Sequence, residues 1–211
     1  MTRQFQLAIS CLIILSCIHA SVAGNVPTEM EGLLNFHEVH PFLYRGGGPN
    51  EQSLHNLKDK GIKTIIDLRA ASEGAKTDEV SPKKEKAIAS ELGIKYINLP
   101  MDSHAPTKKQ VNTVIHSVEK AQKGDGPVFI HCAHGSDRTG CMVGIWRVTH
   151  ENWGYDKTYQ EMRKYFFTPK FTALSGAVKQ YADDRSTHTG TLPARTENHI
   201  IDRDGPDVPE N

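Results

Sequence analysis

Between Phe36 and Ala182 the sequence alternates short apolar runs with amphipathic stretches, and this alternation constrains the fold more than any other feature. The clearest apolar runs are "KTIIDLR", "IKYINLP" and "PVFIH", and each follows closely on a glycine. Strands that take turns with helices build a largely parallel sheet with helices on its faces. We therefore predict a single α/β domain with a central, largely parallel sheet flanked by helices.

Capping signals locate the helices. A helix over Thr107–Ala121 follows from its apolar spacing and from the capping-box pattern that Thr107 forms with Gln110. Another begins at Pro82, a residue favoured in the first helical position, and ends before Gly93. Three more helices are predicted at Met142–Val148, near Asp156–Phe166 and near Lys170–Ala182.

The N-terminus has the pattern of an export signal. Arg3 precedes an apolar run over Leu7–Ile18, and small residues lead up to Gly24. This run is shorter than the about 20 apolar residues that a membrane-spanning helix needs. We expect residues 1–23 to be a cleaved signal peptide, the mature chain to have no transmembrane anchor, and the protein to be periplasmic or secreted. Lipid attachment at Cys17 is the alternative.

The remaining chain divides into three parts. Residues 24–35 have the composition of a linker, residues 36–182 of the folded domain, and residues 183–211 of a polar, disordered tail. Lys and Arg together number 25, as do Asp and Glu, so we expect no nucleic-acid partner and no polybasic membrane surface.

The stretch "VFIHCAHGSDRTGCMVG" predicts the chemistry. A strand, a glycine-containing loop and a helix form a cradle for anions, because successive backbone N–H groups and the helix N-terminus point inward. Cys132 opens this loop, in a field that stabilises a thiolate nucleophile. Arg138 closes it with a planar fork that can hold two phosphate oxygens. The loop thus predicts a phosphate site with an attacking sulfur.

"HCAHGSDRTG" resembles the Cys-x5-Arg signature loop of the protein tyrosine phosphatase superfamily, and the resemblance extends over about residues 36–182. "LYRGGGPN", "GIKTIIDLR" and "RTGCMVG" are similar to compact plant and fungal atypical dual-specificity phosphatases, some of which act on inositol pyrophosphates. The resemblance implies a single domain of the dual-specificity phosphatase type. It also implies hydrolysis of phosphate monoesters through a phosphocysteine, without metal or cofactor.

The same resemblance assigns roles within the site. Cys132 attacks phosphorus, Arg138 and the loop amides hold the oxygens, and Thr139 donates a hydrogen bond to the sulfur. Asp102 in "LPMDSHAP" is the candidate general acid, with a helix-capping or loop role as the alternative. His131 and the pair Asp67 and Arg69 are predicted to be structural. The predicted substrate contacts are Ala133, His134, Gly135, Ser136, Asp137, His104 and Arg45.

The substrate is less constrained than the reaction. Export and the resemblance to tyrosine-phosphatase-like phytases favour an inositol polyphosphate, whereas Asp137 lowers the positive potential that such a substrate prefers. A phosphotyrosine protein is therefore the alternative substrate. A sulfurtransferase of the rhodanese type and a catalytically inactive phosphate-binding module remain as other classes of function.

Overall fold

The computed structural model describes residues 30–73 and 79–189, with side chains described up to Arg185. The predicted signal peptide, most of the predicted linker and the end of the predicted tail lie outside the described residues. Two predicted boundaries change inside them. Leu33 is buried, so the folded domain begins before Phe36, and the last helix continues to Thr189, past the predicted end at Ala182.

The described part of the chain contains one five-stranded sheet, with strand order β1-β2-β5-β3-β4. The hairpin of β1 and β2 is antiparallel, and every other neighbouring pair is parallel, which confirms the predicted largely parallel sheet. The strands are β1 (His37–His40), β2 (Leu43–Gly46), β3 (Thr64–Asp67), β4 (Lys95–Asn98) and β5 (Val128–His131).

Six helices of the described residues surround the sheet, and the two helices that capping signals predict begin where those signals lie. Ser81 caps the helix that starts at Pro82, and the capping box of Thr107 and Gln110 is present. A single π-type turn at Ala121–Asp125 follows the third helix. The helices are α1 (Glu51–Asp59), α2 (Pro82–Glu91), α3 (Lys108–Lys120), α4 (Asp137–His150), α5 (Tyr155–Lys164) and α6 (Thr172–Thr189).

The two faces of the sheet have separate cores, because successive strand residues point to opposite sides. Ile66 and Ile130 belong to the core between the sheet and helices α3, α4, α5 and α6. Ile65 and Phe129 belong to the core between the sheet and helices α1 and α2. Strands β3 and β5 are in register, with Asp67 opposite His131 at their carboxyl ends. Ligand sites of such sheets lie beyond this edge, which is where the Cys132 loop begins.

Candidate active site

The loop between β5 and α4 brings Cys132 and Arg138 to the carboxyl edge of the sheet. Cys132 is the first residue after β5 and has only 3% of its surface exposed. Helix α4 starts at Asp137, so Arg138 lies in its first turn, where the helix dipole also favours an anion. The predicted strand, loop and helix are therefore all present.

A run of glycines after β2 lies directly against this loop. Gly135 has a φ of +70°, and a Cβ atom there would lie 2.4 Å from the carbonyl carbon of Gly46. Gly135 therefore cannot be replaced without moving the backbone. Gly48 donates its backbone N–H to the carbonyl oxygen of Ala133 at 3.0 Å. The "RGGG" stretch thus fixes the outer side of the loop.

Arg45 supports the loop from behind instead of contacting substrate, which corrects its predicted role. Its side chain is fully buried, and Nη2 donates to the carbonyl oxygen of Gly135 at 2.8 Å. The guanidinium also lies over the ring of Tyr165, 4.5 Å from its centroid. Burial lowers the pKa of Arg45 to about 10. The amide of Asn35 donates to the same Gly135 oxygen at 3.1 Å.

Glu73 binds one edge of the Arg138 guanidinium, and the other edge is available to donate hydrogen bonds to a ligand. Its Nη1 and Nη2 donate to the two carboxylate oxygens of Glu73 at 2.5 and 2.7 Å, and Nη1 also donates to the carbonyl of Met101 at 3.1 Å. Burial alone would lower the pKa of Arg138, but Glu73 and Cys132 outweigh it and raise that pKa. The hydrogen bonds among the described residues do not use Nε, so Nε and the second Nη2 hydrogen form a fork for phosphate.

A buried network of charged side chains lies beneath the loop. His131 and Glu85 pair through Nε2 and Oε1 at 3.0 Å, and Arg69 donates to Asp67 at 3.0 Å and also to Glu85. All four side chains are essentially inaccessible to solvent. Tyr96 completes the network by donating its hydroxyl to Asp67 at 2.7 Å. The predicted structural roles of Asp67, Arg69 and His131 agree with this arrangement.

His131 directly precedes the nucleophile, and its buried surroundings favour the cationic imidazolium. Burial alone would lower its pKa, but the carboxylates of Glu85 and Asp67 outweigh that effect and raise the pKa of His131 to about 9. Its Nδ1 lies 3.3 Å from the carbonyl oxygen of Cys132, so the imidazolium donates a hydrogen bond to the start of the loop.

Asp67, Glu85 and His131 have ligand atoms within 4.8 Å of one another, a spacing that could suit a metal ion. The guanidinium of Arg69 already bonds both carboxylates, and His131 bonds one of them. A dication would have to displace these two charged donors. We therefore interpret the cluster as an ion-pair network and not as a metal site.

Asp102 and His104 lie together on the opposite, exposed side of the loop. His104 donates its backbone N–H to Asp102 at 2.8 Å, and its Nδ1 lies 2.9 Å from the second carboxylate oxygen. These contacts lower the pKa of Asp102. The bond from Arg138 to the carbonyl of Met101 places this segment beside the phosphate fork. Both side chains line a surface pocket together with Ala70 and Gln110.

The remaining predicted contacts have different environments. Asp137 accepts the backbone N–H of Thr168 at 2.7 Å, so its carboxylate has a structural bond in the loop before α6. Ser136 donates its hydroxyl to the carbonyl of His134 at 3.3 Å, and the His134 side chain is exposed. The Thr139 hydroxyl is buried and has no hydrogen-bond partner among the described residues, so it is free to donate to a nearby acceptor.

Cys141 is chemically separate from the site. It is fully buried in α4, and its thiol donates to the carbonyl oxygen of Leu174 at 3.4 Å. Burial raises the pKa of Cys141 to about 12, which disfavours a reactive thiolate.

Sequence reasoning missed Glu73, Glu85 and Asn35. Glu85 lies in "KKEK", which has the appearance of a solvated helix face, and Glu73 lies in a polar loop. The one available signal was geometric, because apolar spacing places Glu85 on the same side of α2 as the buried Ile88 and Ala89. Asn35 is the last residue of the predicted linker, and its neighbours in the sequence give no sign of a contact with the loop.

Cys132 and the Arg138 fork lie on one glycine-containing loop at the carboxyl edge of a largely parallel sheet. This arrangement defines a domain of the protein tyrosine phosphatase superfamily. Residues 25–180 match the family described as "DSP-PTPase phosphatase fused to NAD+ Kinase". This match covers well over half of the chain, and the protein therefore belongs to that family.

Individual relatives agree with the family. The dual specificity protein phosphatase TpbA of Pseudomonas aeruginosa is 26% identical over 62% of this chain and 54% of its own length. The inositol diphosphatase SIW14 of Saccharomyces cerevisiae is 28% identical over 71% of this chain and 52% of its own. The chain thus spans about half the length of these curated relatives.

A solved structure shows that the fold is shared. TpbA of P. aeruginosa in complex with pTyr superposes with a TM-score of 0.57 at 21% identity, over 72% of this chain and 91% of that one.

No helix among the described residues is both long and apolar enough to cross a membrane.

Proposed function

We propose that the protein is a cysteine-dependent phosphatase that hydrolyses phosphate monoesters through a phosphocysteine intermediate. The observation that supports this most directly is the loop itself, in which Cys132 opens an anion cradle and Arg138 presents an open Nε and Nη2 fork. The buried imidazolium of His131 donates a hydrogen bond to the carbonyl oxygen of Cys132, where the loop begins. Membership of a phosphatase family supports the same conclusion.

In the first step, the Cys132 thiolate forms a bond to phosphorus as the bond from phosphorus to the ester oxygen breaks. Arg138 and the loop amides hold the three equatorial oxygens and stabilise the charge that develops on them. The leaving oxygen takes a proton from Asp102. In the second step, water attacks phosphorus, Asp102 accepts its proton, and the sulfur leaves with a hydrogen bond from Thr139.

The resting state of Asp102 has a consequence for pH. The hydrogen bonds from His104 favour the ionised carboxylate, which has no proton to give. We therefore expect the first step to be faster on the acidic side of neutrality for substrates with poor leaving groups. At higher pH fewer molecules carry a protonated Asp102, so departure of the leaving group in the first step limits turnover.

Two classes of substrate remain in the proposal, and each has its own support. The relationship to SIW14 favours an inositol polyphosphate, the substrate expected from the sequence. The TpbA complex with pTyr favours a phosphotyrosine substrate. The carboxylate of Glu73 on Arg138 reduces the net positive charge of the site, which opposes a highly anionic ring.

Export remains part of the proposal. It rests on the Arg3 and Leu7–Ile18 pattern, which lies outside the described residues. N-terminal sequencing of the protein recovered from its host tests it directly, since cleavage after Ala23 would leave Gly24 as the first residue.

Phosphate release by the full chain without added metal is the deciding experiment, with Cys132→Ser as the matched control. Inositol hexakisphosphate, a phosphotyrosine peptide and a phosphoinositide are assayed in parallel. We expect release from at least one substrate, no release by Cys132→Ser, and a phosphorylated protein trapped by rapid acid quench. Turnover at the level of the Cys132→Ser control for all three substrates would refute the proposal and favour a binding module.

A further inference from the structure

The carbonyl oxygen of Gly135, in the middle of the signature loop, accepts hydrogen bonds from two side chains. Arg45 donates to it through Nη2 at 2.8 Å, and Asn35 donates to it through Nδ2 at 3.1 Å. These donors precede Gly135 by 90 and 100 positions in the chain. The direction of this carbonyl is therefore set by tertiary contacts and not by the loop alone.

The direction of the Gly135 carbonyl also sets the direction of the next backbone N–H. The peptide bond between Gly135 and Ser136 is trans, so its C=O and N–H point in opposite directions. With the oxygen held towards Arg45 behind the loop, the Ser136 N–H points to the side where we place the phosphate. Ser136 is only 8% exposed, and no hydrogen bond among the described residues uses its N–H. This buried donor is available to an anion.

Three contacts fix the orientation of the Asn35 amide. Its Nδ2 donates to the carbonyl oxygens of Gly135 at 3.1 Å and Tyr165 at 3.2 Å, and its Oδ1 lies 3.0 Å from Nε2 of His37. Because a carbonyl oxygen only accepts, the NH2 group must face the two carbonyls, which leaves Oδ1 to accept from His37. The amide thus uses both of its donors to join the signature loop to the end of α5.

Tyr165 supports both donors of the Gly135 carbonyl. Its backbone oxygen accepts from Asn35, and its ring lies 4.5 Å from the Arg45 guanidinium and 4.4 Å from the His37 ring. Asn35 has a φ of +52°, in the left-handed region that asparagine tolerates better than most residues. The position therefore favours asparagine both for its backbone and for its hydrogen bonds.

We propose that Asn35 is a positioning residue for phosphate binding, which holds the Gly135 carbonyl outward with Arg45 and so directs the Ser136 N–H at a phosphate oxygen. The inference rests on the proposed function, because it requires a phosphate in this loop. Asn35 contacts the loop from outside and does not touch the substrate. A single donor would let the peptide plane tilt, whereas two donors from different elements restrict it before the ligand arrives.

The test measures phosphate affinity in the full chain carrying Cys132→Ser, because binding does not require turnover. Asn35→Gly removes the side chain and keeps a residue that adopts positive φ. Asn152→Gly is the matched control, since Asn152 is exposed, has a φ of +60° and accepts a hydrogen bond from Arg185. Inorganic phosphate is titrated by calorimetry. We expect Asn35→Gly to weaken its binding about tenfold, the size of one charge-assisted hydrogen bond, and Asn152→Gly to change it less than about twofold.

A spectroscopic readout separates positioning from a general loss of structure. In proton–nitrogen NMR spectra of the same proteins, the Ser136 amide proton shifts downfield when it donates to a phosphate oxygen. At saturating phosphate we expect this shift to be smaller in Asn35→Gly than in the parent, whereas Asn152→Gly should keep it. A variant that only unfolds more easily would show the full shift in its folded molecules.

If Asn35→Gly does not fold, His37→Phe provides the same test. This change keeps an aromatic ring beside Tyr165 and removes the hydrogen bond that orients the Asn35 amide. We expect phosphate binding about threefold weaker than in the parent, together with a smaller Ser136 shift.

Two results would overturn the inference without affecting the proposed function. One is equal phosphate affinity in the parent, Asn35→Gly and His37→Phe. The other is weaker binding with an unchanged Ser136 shift at saturation, which would assign the effect to a different group of the loop. Absence of phosphate binding by the parent itself would count against the proposed function, and the inference would fall with it.

Discussion

The two sides of the Cys132 loop are built from the same kinds of residue and behave in opposite ways. Beneath the loop, Glu85 and His131 form an acid–imidazole pair with no solvent exposure. In front of it, Asp102 and His104 form a similar pair with side chains 71% and 84% exposed. Burial makes the first pair costly to break, and solvent makes the second one weak and easily rearranged.

This difference in exposure separates the pair that stabilises the loop from the pair that takes part in the proposed reaction. A buried imidazolium that cannot leave its carboxylate holds the loop and its positive charge in place. An exposed carboxylate can release its partner, take up a proton and approach a leaving group. We therefore expect changes beneath the loop to alter stability first and changes in front of it to alter turnover first.

Loss of Glu85 should have the largest effect. Glu85→Ala leaves the imidazolium of His131 and the guanidinium of Arg69 without one of their buried partners, and we expect the free energy of unfolding to fall by about 3–5 kcal/mol. Denaturant titration at neutral pH measures it. Glu91→Ala is the matched control, since Glu91 is exposed on the same helix. Equal midpoints for the two variants would contradict a structural role for the pair.

Loss of Asp102 should affect turnover and spare stability. We expect Asp102→Asn to lower kcat about a hundredfold on phenyl phosphate, whose leaving group needs a proton. On 4-nitrophenyl phosphate, whose leaving group does not need one, the loss should be several times smaller. Asp59→Asn, at an exposed site on α1, is the control and should be silent. A loss independent of the leaving group would argue against Asp102 as general acid.

The smallest effect is expected from pH. The pKa of His131 is raised from 6.5 to about 9, so its contribution to stability is fully present below pH 6.5 and is lost as the pH rises through 9. We expect a loss on the order of 2 kcal/mol across this interval. Unfolding titrations at several pH values measure it, with Asp102→Asn as a variant that keeps the slope. A flat profile would show that His131 is neutral in the folded protein.

Much of the fold was predictable because its signals are local. The strands that follow glycines, the capping box of Thr107 and the proline start of α2 all lie where the pattern places them. The end of α6 was not predicted, because the polar residues after Ala182 lack the apolar spacing that marks a helix. Leu33 lies in the predicted linker, since a single apolar residue shows no periodicity.

In the candidate site, too, residues with local sequence signals were predictable and residues with distant partners were not. Cys132 and Arg138 were found because the signature is contiguous. The sequence predicts a substrate contact for Arg45 and no role for Glu73, since the partners of both residues lie far away in the sequence. Gly135 and Arg45 are 90 positions apart, and Glu73 and Arg138 are 65 apart. Sequence spacing does not show which side of a loop a distant arginine reaches.

The glycine run after β2 has a consequence for the order of events during synthesis. Gly46 and Gly47 emerge from the ribosome long before their contact residue Gly135, which follows Arg45 by 90 positions. Strand β2 pairs with β5 and not with the strand that follows it in the chain, so an unpaired edge must persist until β5 arrives. One edge of β2 therefore stays unpaired during synthesis of the residues before β5. In this state, incorrect strand pairing competes with the formation of the phosphate-binding loop.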